Sequence, residues 1–371
     1  MTSLAALPTP CLLLEEEKLQ TNTDRLARRL HERGVSLRPH LKTCKNLEIA
    51  RRCMESPHGP ATVSTLAEAE YFAAGGVRDI CYAVGIAPNK LERVASLRQR
   101  GIDLSIVLDN EESARLVVDF ARCRGCRMAV LLEIDCDGHR AGLRPDDPRL
   151  TAIAGLLQEG GQEVRGVLTH AGSAYDLPAT EAITALAAQE CAAATAAAGL
   201  LREAGFPCPV VSVGSTPTAF FGEDFSGITE VRAGVYVFQD LVMAGLGVCR
   251  PEDIALSVLT TVIGRQSDGR ALIIDAGWTA LSRDAGLPWR RDDFGYGLVC
   301  DEDGNLLPGL RVSETNQEHG IVSGPVCPAL PVGSHLRILP VHACATASCF
   351  DSYEVLQAGQ VSRRLGRCHG W

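Results

Sequence analysis

The feature that most constrains this chain is a repeated alternation. Between residues 36 and 237 eight short β-type runs occur, LRPHLK, ATVSTL, ICYAVG, LSIVLD, AVLLEIDC, GVLTHAG, VVSVGST and VRAGVYV, each followed by a stretch with helical apolar spacing. The helical stretches, among them NLEIARRCME, LAEAEYFAAGG, NKLERVASLRQRG and the Ala-rich TEAITALAAQECAAATAAAGLLREAG, end at or near glycine, the residue best suited to a helix terminus. Eight strand–helix units predict a closed parallel α/β barrel of the TIM type, (β/α)8. An open doubly wound sheet is the alternative, but no Gly-x-Gly-x-x-Gly follows the first strand, which weighs against a dinucleotide fold.

After about residue 245 the pattern becomes strand runs separated by Gly, Pro and Asp turns, as in ALSVLTTVIGRQ, ALIIDAGW, GLVCDEDGNLLPGLRVSE and HLRILPVHA. This predicts a second, mainly β domain. The opening TPCLLLEEEKL reads as extended and is expected to pair with that domain. The expected division is therefore an N-terminal strand segment over 1–25, a barrel over 26–244 and a β domain over 245–371.

Composition narrows the function. The 371 residues are 46% hydrophobic and carry a net charge of −9, with no block of five or more like charges, so a nucleic-acid partner is not expected and the substrate should be small. The start lacks a basic leader and its apolar run is broken by prolines, unlike a signal peptide. No apolar stretch approaches the roughly 18 residues that span a membrane. Fifteen cysteines scattered over so long a chain fit a reducing compartment better than a disulfide scaffold, and a cytoplasmic location is expected. The lone CxxC, Cys123 to Cys126, lacks a second pair at zinc-site spacing and reads as structural.

On a barrel, polar residues at strand C-terminal ends face the catalytic mouth. The first strand ends in Arg38-Pro39-His40-Leu41-Lys42-Thr43. A lysine at a buried strand end suits Schiff-base chemistry if its amine is desolvated, or else snorkels at the barrel rim. The seventh and eighth strands lead into Gly214-Ser215-Thr216 and Arg232-Ala233-Gly234-Val235-Tyr236. Small and hydroxyl residues there let backbone N–H groups approach a phosphate, and a plain turn is the competing reading. His342 and Cys344, two apart at the end of a strand-like run, would face one side and form half of a divalent-metal site, with zinc favoured by ligand softness, or be an ordinary buried pair. Arg140 can hold a phenolate or carboxylate or pair with the acidic residues around it, and His170 and Tyr175 can carry protons or touch a cofactor.

Taken in order, RPHLKTCK, ATVSTLAEAE, EIDCDGHRAG, THAGSAY, VSVGSTPTA, EVRAGVYVF, DAGWTALSRD, NQEHG and HACAT resemble the D-serine dehydratase and D-threonine aldolase-like family of fold-type III pyridoxal-phosphate (PLP) enzymes over nearly the whole chain. The resemblance implies an alanine-racemase-like architecture, with an N-terminal PLP barrel and a C-terminal β domain, assembled as a homodimer. It makes Lys42 the PLP-carrying lysine, His342 and Cys344 the pair that binds a divalent metal (zinc or manganese), and Gly214, Ser215, Thr216, Gly234 and Tyr236 the phosphate cup. Arg140, His170 and Tyr175 are implied cofactor contacts; Arg232 and Tyr175 both match places that serve the pyridine nitrogen. The implied reaction is elimination from a D-β-hydroxy amino acid, such as D-serine or D-threo-3-hydroxyaspartate, to a 2-oxo acid and ammonia. Aldol cleavage to glycine and an aldehyde is the alternative; the aldolases tend to have aspartate where this chain has Cys344. A non-catalytic PLP-binding protein of the single-barrel type is a further alternative, disfavoured by the long segment after the barrel.

Overall fold

The computed structural model describes residues 3–177, 179–284 and 294–371. The chain divides into two compact units. One runs from Arg25 to Gly234 and includes Cys368–Trp371; the other contains the chain up to Asp24 and Val235–Arg367. The expected boundary after residue 244 thus falls later than the observed one, and the C-terminal tail belongs with the barrel, where the Cys368 N–H donates to the Lys45 carbonyl at 2.7 Å.

The segment Cys11–Glu15 forms β1. The first unit is then built on β2 (Ser36–Pro39), β3 (Ala61–Val63), β4 (Asp79–Gly85), β5 (Asp103–Leu108), β6 (Ala129–Ile134), β7 (Glu163–Thr169), β8 (Val210–Val213) and β9 (Glu230–Ala233). All their pairings are parallel, in the order β2-β9-β8-β7-β6-β5-β4-β3. A single bridge from His40 to Thr62, with the Leu41 N–H donating to the Thr62 carbonyl at 2.8 Å, nearly closes the ring between β2 and β3. The eight runs read from the sequence are these eight strands, and an α/β barrel of the alanine-racemase type results. Strands buried on both faces read as near-continuous apolar runs, as β6 does.

Side-chain caps set where the helices begin. Asn46, Thr65 and Asn110 accept from the backbone N–H of Ile49, Glu68 and Ser113, and Gly125 ends the helix Glu111–Arg124 in the left-handed conformation. The longest helix, Thr180–Glu203, buries Ile183, Leu186, Ala187, Glu190, Cys191, Ala194, Ala197, Ala198 and Leu201 along one face. By length and mean hydropathy alone this helix is long and apolar enough to cross a membrane, but the buried face it carries packs on β7 and β8 as a core helix does.

The second unit is a sheet of nine strands among the described residues: β1 with β10 (Leu256–Arg265), β11 (Leu272–Ile274), β12 (Leu298–Cys300), β13 (Leu306–Thr315), β14 (Gly320–Ser323), β15 (His335–Leu339), β16 (Ser352–Gln357) and β17 (Gln360–Gly366). Antiparallel pairings close β10-β11-β14-β13-β12-β15 into a ring. β1 lies between β10, to which it is antiparallel, and β16, to which it is parallel. The opening run is extended only to Glu15, where a helix starts, so the expectation of an extended EEEKL is corrected. All fifteen cysteines are free thiols.

Candidate active site

The C-terminal ends of β2, β7, β8 and β9 gather most of the barrel residues singled out from the sequence. β2 stops at Pro39 and the chain turns over residues 41–44. Leu41, Thr43 and Cys44 of that turn are buried, while Lys42 is exposed. The expectation of a lysine desolvated at a buried strand end is therefore corrected: the amine emerges from a turn. Its charge acts on two imidazoles. Burial, then Lys42, Arg232 and His170, hold His40 well below its ordinary range. Burial pushes His170 down to about 4, with Arg232, Lys42 and Arg140 adding to the effect against a hydrogen bond to Gly214. The rim is thus a cluster of cations around two neutral imidazoles, and it favours an anion.

His170 follows β7 and places Nδ1 at 3.0 Å from the Gly214 carbonyl. In the neutral tautomer Nδ1 then carries the hydrogen and Nε2 is the acceptor. Tyr175 ends the 3-10 turn Gly172–Tyr175 with its ring 6.4 Å from that of His170. Arg232 on β9 is buried and donates to Ser212 Oγ at 2.6 Å and the Thr169 carbonyl at 2.5 Å. Arg140 is largely exposed and lies 3.4 Å from Glu133. Arg38 on β2 is committed to Glu230 and Asp79 at 2.7 Å each.

The loop after β8 is shaped by a capping box. Ser215 Oγ accepts from the Thr218 N–H at 3.2 Å, and Thr218 Oγ1 accepts from the Ser215 N–H at 2.9 Å. Gly214 has both backbone groups engaged, its N–H by Glu190 Oε1 at 3.0 Å and its carbonyl by His170. The expectation that the Gly214 amide approaches an anion is therefore corrected, because Glu190 takes that N–H. Glycine is required there because φ is +122° and a Cβ would collide with the Arg232 carbonyl. Gly234 allows another close approach: a Cβ there would sit 2.9 Å from Thr43 Oγ1 and 3.1 Å from the His40 carbonyl in the lysine turn.

Thr216 Oγ1 is buried with no hydrogen-bond partner among the described residues. It sits in the first turn of the helix Thr216–Phe221, where backbone N–H groups have no helical acceptor. An unpartnered buried hydroxyl beside such a helix start fits a PLP phosphate. β9 ends at Ala233, so Tyr236 lies outside the strand, in the 3-10 turn Val235–Val237 of the other unit, where it is fully buried.

In the β unit His342 caps the helix Ala343–Ser348 and Cys344 lies in its first turn. The strand β15 ends at Leu339, so strand alternation is not what pairs them, a correction to the sequence argument. A helix start does so instead, and the two side chains are hydrogen-bonded. His342 Nδ1 is 2.8 Å from Asp284 Oδ2. Burial alone would lower the imidazole, but Asp284, Cys344 and Asp240 outweigh it and push His342 up to about 11. Asp240 accepts the Ala343 N–H at 2.9 Å and fixes the helix start. An imidazole and a thiol side by side are a donor pair for a borderline-soft divalent ion. Among the described residues no group of three or more His, Cys, Asp or Glu that could hold a metal ion is found.

The NQEHG segment, whose role the sequence leaves open, makes the turn between β13 and β14. Its Asn316 and Gln317 carbonyls accept the N–H groups of Trp278 and Thr279, which seats the helix Trp278–Leu281 ahead of Asp284. Arg283 stacks on Trp278, 4.2 Å from the ring centre.

The alanine racemase N-terminal domain model matches residues 14–241 and the serine dehydratase domain model residues 255–356. The chain belongs to the alanine-racemase-like serine dehydratase family. Within it, D-threo-3-hydroxyaspartate dehydratase of Delftia sp. (strain HT23) is 48% identical, over 100% of this chain and 99% of that protein. Its solved structure superposes with a TM-score of 0.97 over 100% of both chains. D-serine dehydratase of Dictyostelium discoideum is 31% identical over 94% of this chain and 93% of its own. D-threonine aldolase of Filomicrobium marinum is more distant, at 25% identity and a TM-score of 0.85, covering 98% and 96% of the two chains. Solved forms of D-threo-3-hydroxyaspartate dehydratase include a cysteine-to-alanine variant in a metal-free form and a histidine-to-alanine variant two positions earlier.

Proposed function

We propose that this protein is a PLP- and divalent-metal-dependent lyase that dehydrates D-β-hydroxy amino acids, converting D-threo-3-hydroxyaspartate to oxaloacetate and ammonia, with D-serine, giving pyruvate and ammonia, as the second candidate substrate. The observation that carries it is full-length identity of 48% to a dehydratase of that name. The His-x-Cys spacing of the altered positions in its metal-free and variant forms, which His342 and Cys344 reproduce, supports the metal.

When bound, PLP would supply an electron sink for Cα, and the metal a Lewis acid for the departing hydroxyl. The residues of this chain do the rest. Lys42 Nζ, exposed on its turn, is the amine that would carry PLP and afterwards take the Cα proton. Thr216 Oγ1 would donate to the phosphate and His170 would present Nε2 toward the rim. His342 and Cys344 would hold zinc or manganese, with Asp284 orienting the imidazole. Loss of the Cα proton and the β-hydroxyl as water leaves an enamine, whose hydrolysis takes that water back and releases ammonia.

The reading includes a cytoplasmic homodimer, supported by the family resemblance and by fifteen free thiols, which suit a reducing compartment. The test is ammonia and 2-oxo acid release from D-threo-3-hydroxyaspartate, D-serine and D-threonine, with and without EDTA. EDTA-sensitive ammonia release is expected. Glycine release instead would establish aldol cleavage, and indifference to chelation would remove the metal.

A further inference from the structure

The buried face of the helix Thr180–Glu203 is made of Ala, Leu, Ile and Cys, with one acidic exception, Glu190, which is 1% exposed. A carboxylate in that position is costly unless its oxygens are satisfied. Glu190 Oε1 accepts the Ala171 N–H at 2.9 Å and the Gly214 N–H at 3.0 Å, and the carboxylate is also hydrogen-bonded by the Thr218 side chain. These partners belong to two different barrel loops. Ala171 follows His170 on the loop after β7, and Gly214 and Thr218 flank Ser215 and Thr216 on the loop after β8.

The bonds form a closed circuit. Glu190 binds the Gly214 N–H, the Gly214 carbonyl binds His170 Nδ1, and the next backbone N–H after His170 returns to Glu190. Neither loop can shift alone without leaving a buried N–H unpaired, which is what makes such a network stiff.

We propose that Glu190 is a positioning residue of the cofactor site: it locks the loop that carries His170 to the loop that carries Thr216, so that imidazole and phosphate cup keep one relative placement. The inference rests on the PLP reading above. It adds a residue that touches neither cofactor nor substrate and acts through Gly214 and Ala171.

The test titrates PLP into wild-type apoprotein and the variants Glu190→Ala, Glu190→Asp and Glu190→Gln, following absorbance, with circular dichroism and melting temperature measured alongside. Glu190→Gln keeps a carbonyl oxygen for both amides and should bind PLP within about threefold of wild type. Glu190→Ala should weaken PLP binding by about tenfold, the loss expected for unpaired buried amides. Glu190→Asp, which retracts the carboxylate by one methylene, should weaken it by about threefold or more and serves should the alanine variant not fold.

Gln162→Ala is the control for stability alone. Gln162 is buried and its Oε1 accepts the Met128 N–H at 2.9 Å ahead of β6, at the other end of the barrel. It should lower the melting temperature and leave PLP affinity unchanged. Unaltered PLP affinity in both Glu190→Asp and Glu190→Ala, or an equal loss in Gln162→Ala, would overturn the proposal. Wild-type protein that binds PLP but releases no ammonia would sink the dehydratase reading and leave this one standing on the affinities; wild-type protein that binds no PLP would sink both.

Discussion

Asp284 and His342 stand 58 residues apart in sequence and meet through a 2.8 Å contact between a carboxylate oxygen and Nδ1. That contact engages one ring nitrogen and leaves Nε2 as the one that can coordinate an ion. Carboxylates in this relation orient the ring and raise its basicity. Replacing Asp284 by Ala should weaken binding of zinc or manganese by about tenfold, the lower end of the range for such partners. Competition with a chromogenic chelator measures this without turnover, and an unchanged affinity would show that Asp284 does not support the metal pair.

The barrel was legible because its signal is local. Each of β2 to β9 announces itself by apolar runs and each helix by its own spacing and cap, so the alternation survives errors at the ends. The ends are where the reading slipped. β2 and β9 stop at Pro39 and Ala233, because strand pairing fails there and turn geometry takes over, and sequence periodicity does not register lost hydrogen bonds. Lys42 lies just past the end of β2, as the sequence predicts, and of the two readings of its amine the exposed one holds. Glu190 was missed because its meaning lies in partners 19 and 24 residues away; the available signal was one acidic residue in the apolar stripe of an Ala-rich helix. Gly214 was read as an amide donor, yet its N–H is consumed by that same carboxylate.

On the proposed reading Lys42→Ala should abolish dehydration, with kcat falling by roughly three orders of magnitude or more, since Lys42 would supply both the covalent attachment and the proton acceptor. Borohydride treatment followed by mass spectrometry should fix PLP on the wild-type chain and leave the variant unlabelled. Labelling at another lysine of the wild-type chain would reassign the role.

The low pKa of His170 makes apoprotein stability depend on pH. The folded imidazole resists protonation down to about 4, whereas the unfolded one takes a proton near the ordinary value of about 6.5. Between these values the unfolded chain binds more protons, so this contribution is complete above about pH 6.5 and is lost as pH falls toward 4. From about pH 7.5 to about pH 5 the loss is roughly 2 kcal/mol, and His40 acts in the same direction. Denaturant unfolding of apoprotein at the two pH values should show the difference, and His170→Asn should reduce it. An equal difference in the variant would mean that other groups carry the acid sensitivity.

Thr216 separates cofactor binding from folding more sharply. Its hydroxyl is buried with no partner among the described residues, so in the apoprotein it costs stability, and an isosteric methyl would not. Thr216→Val should therefore leave the apoprotein as stable as wild type or more so. If the hydroxyl donates to the phosphate, the same change should weaken PLP binding by about tenfold, the worth of one hydrogen bond to a charged group. Melting curves of the apoprotein and a PLP titration should then move in opposite directions. A variant that loses stability and affinity together would show that Oγ1 has a structural role, and one that binds PLP as wild type does would take Thr216 out of the phosphate cup.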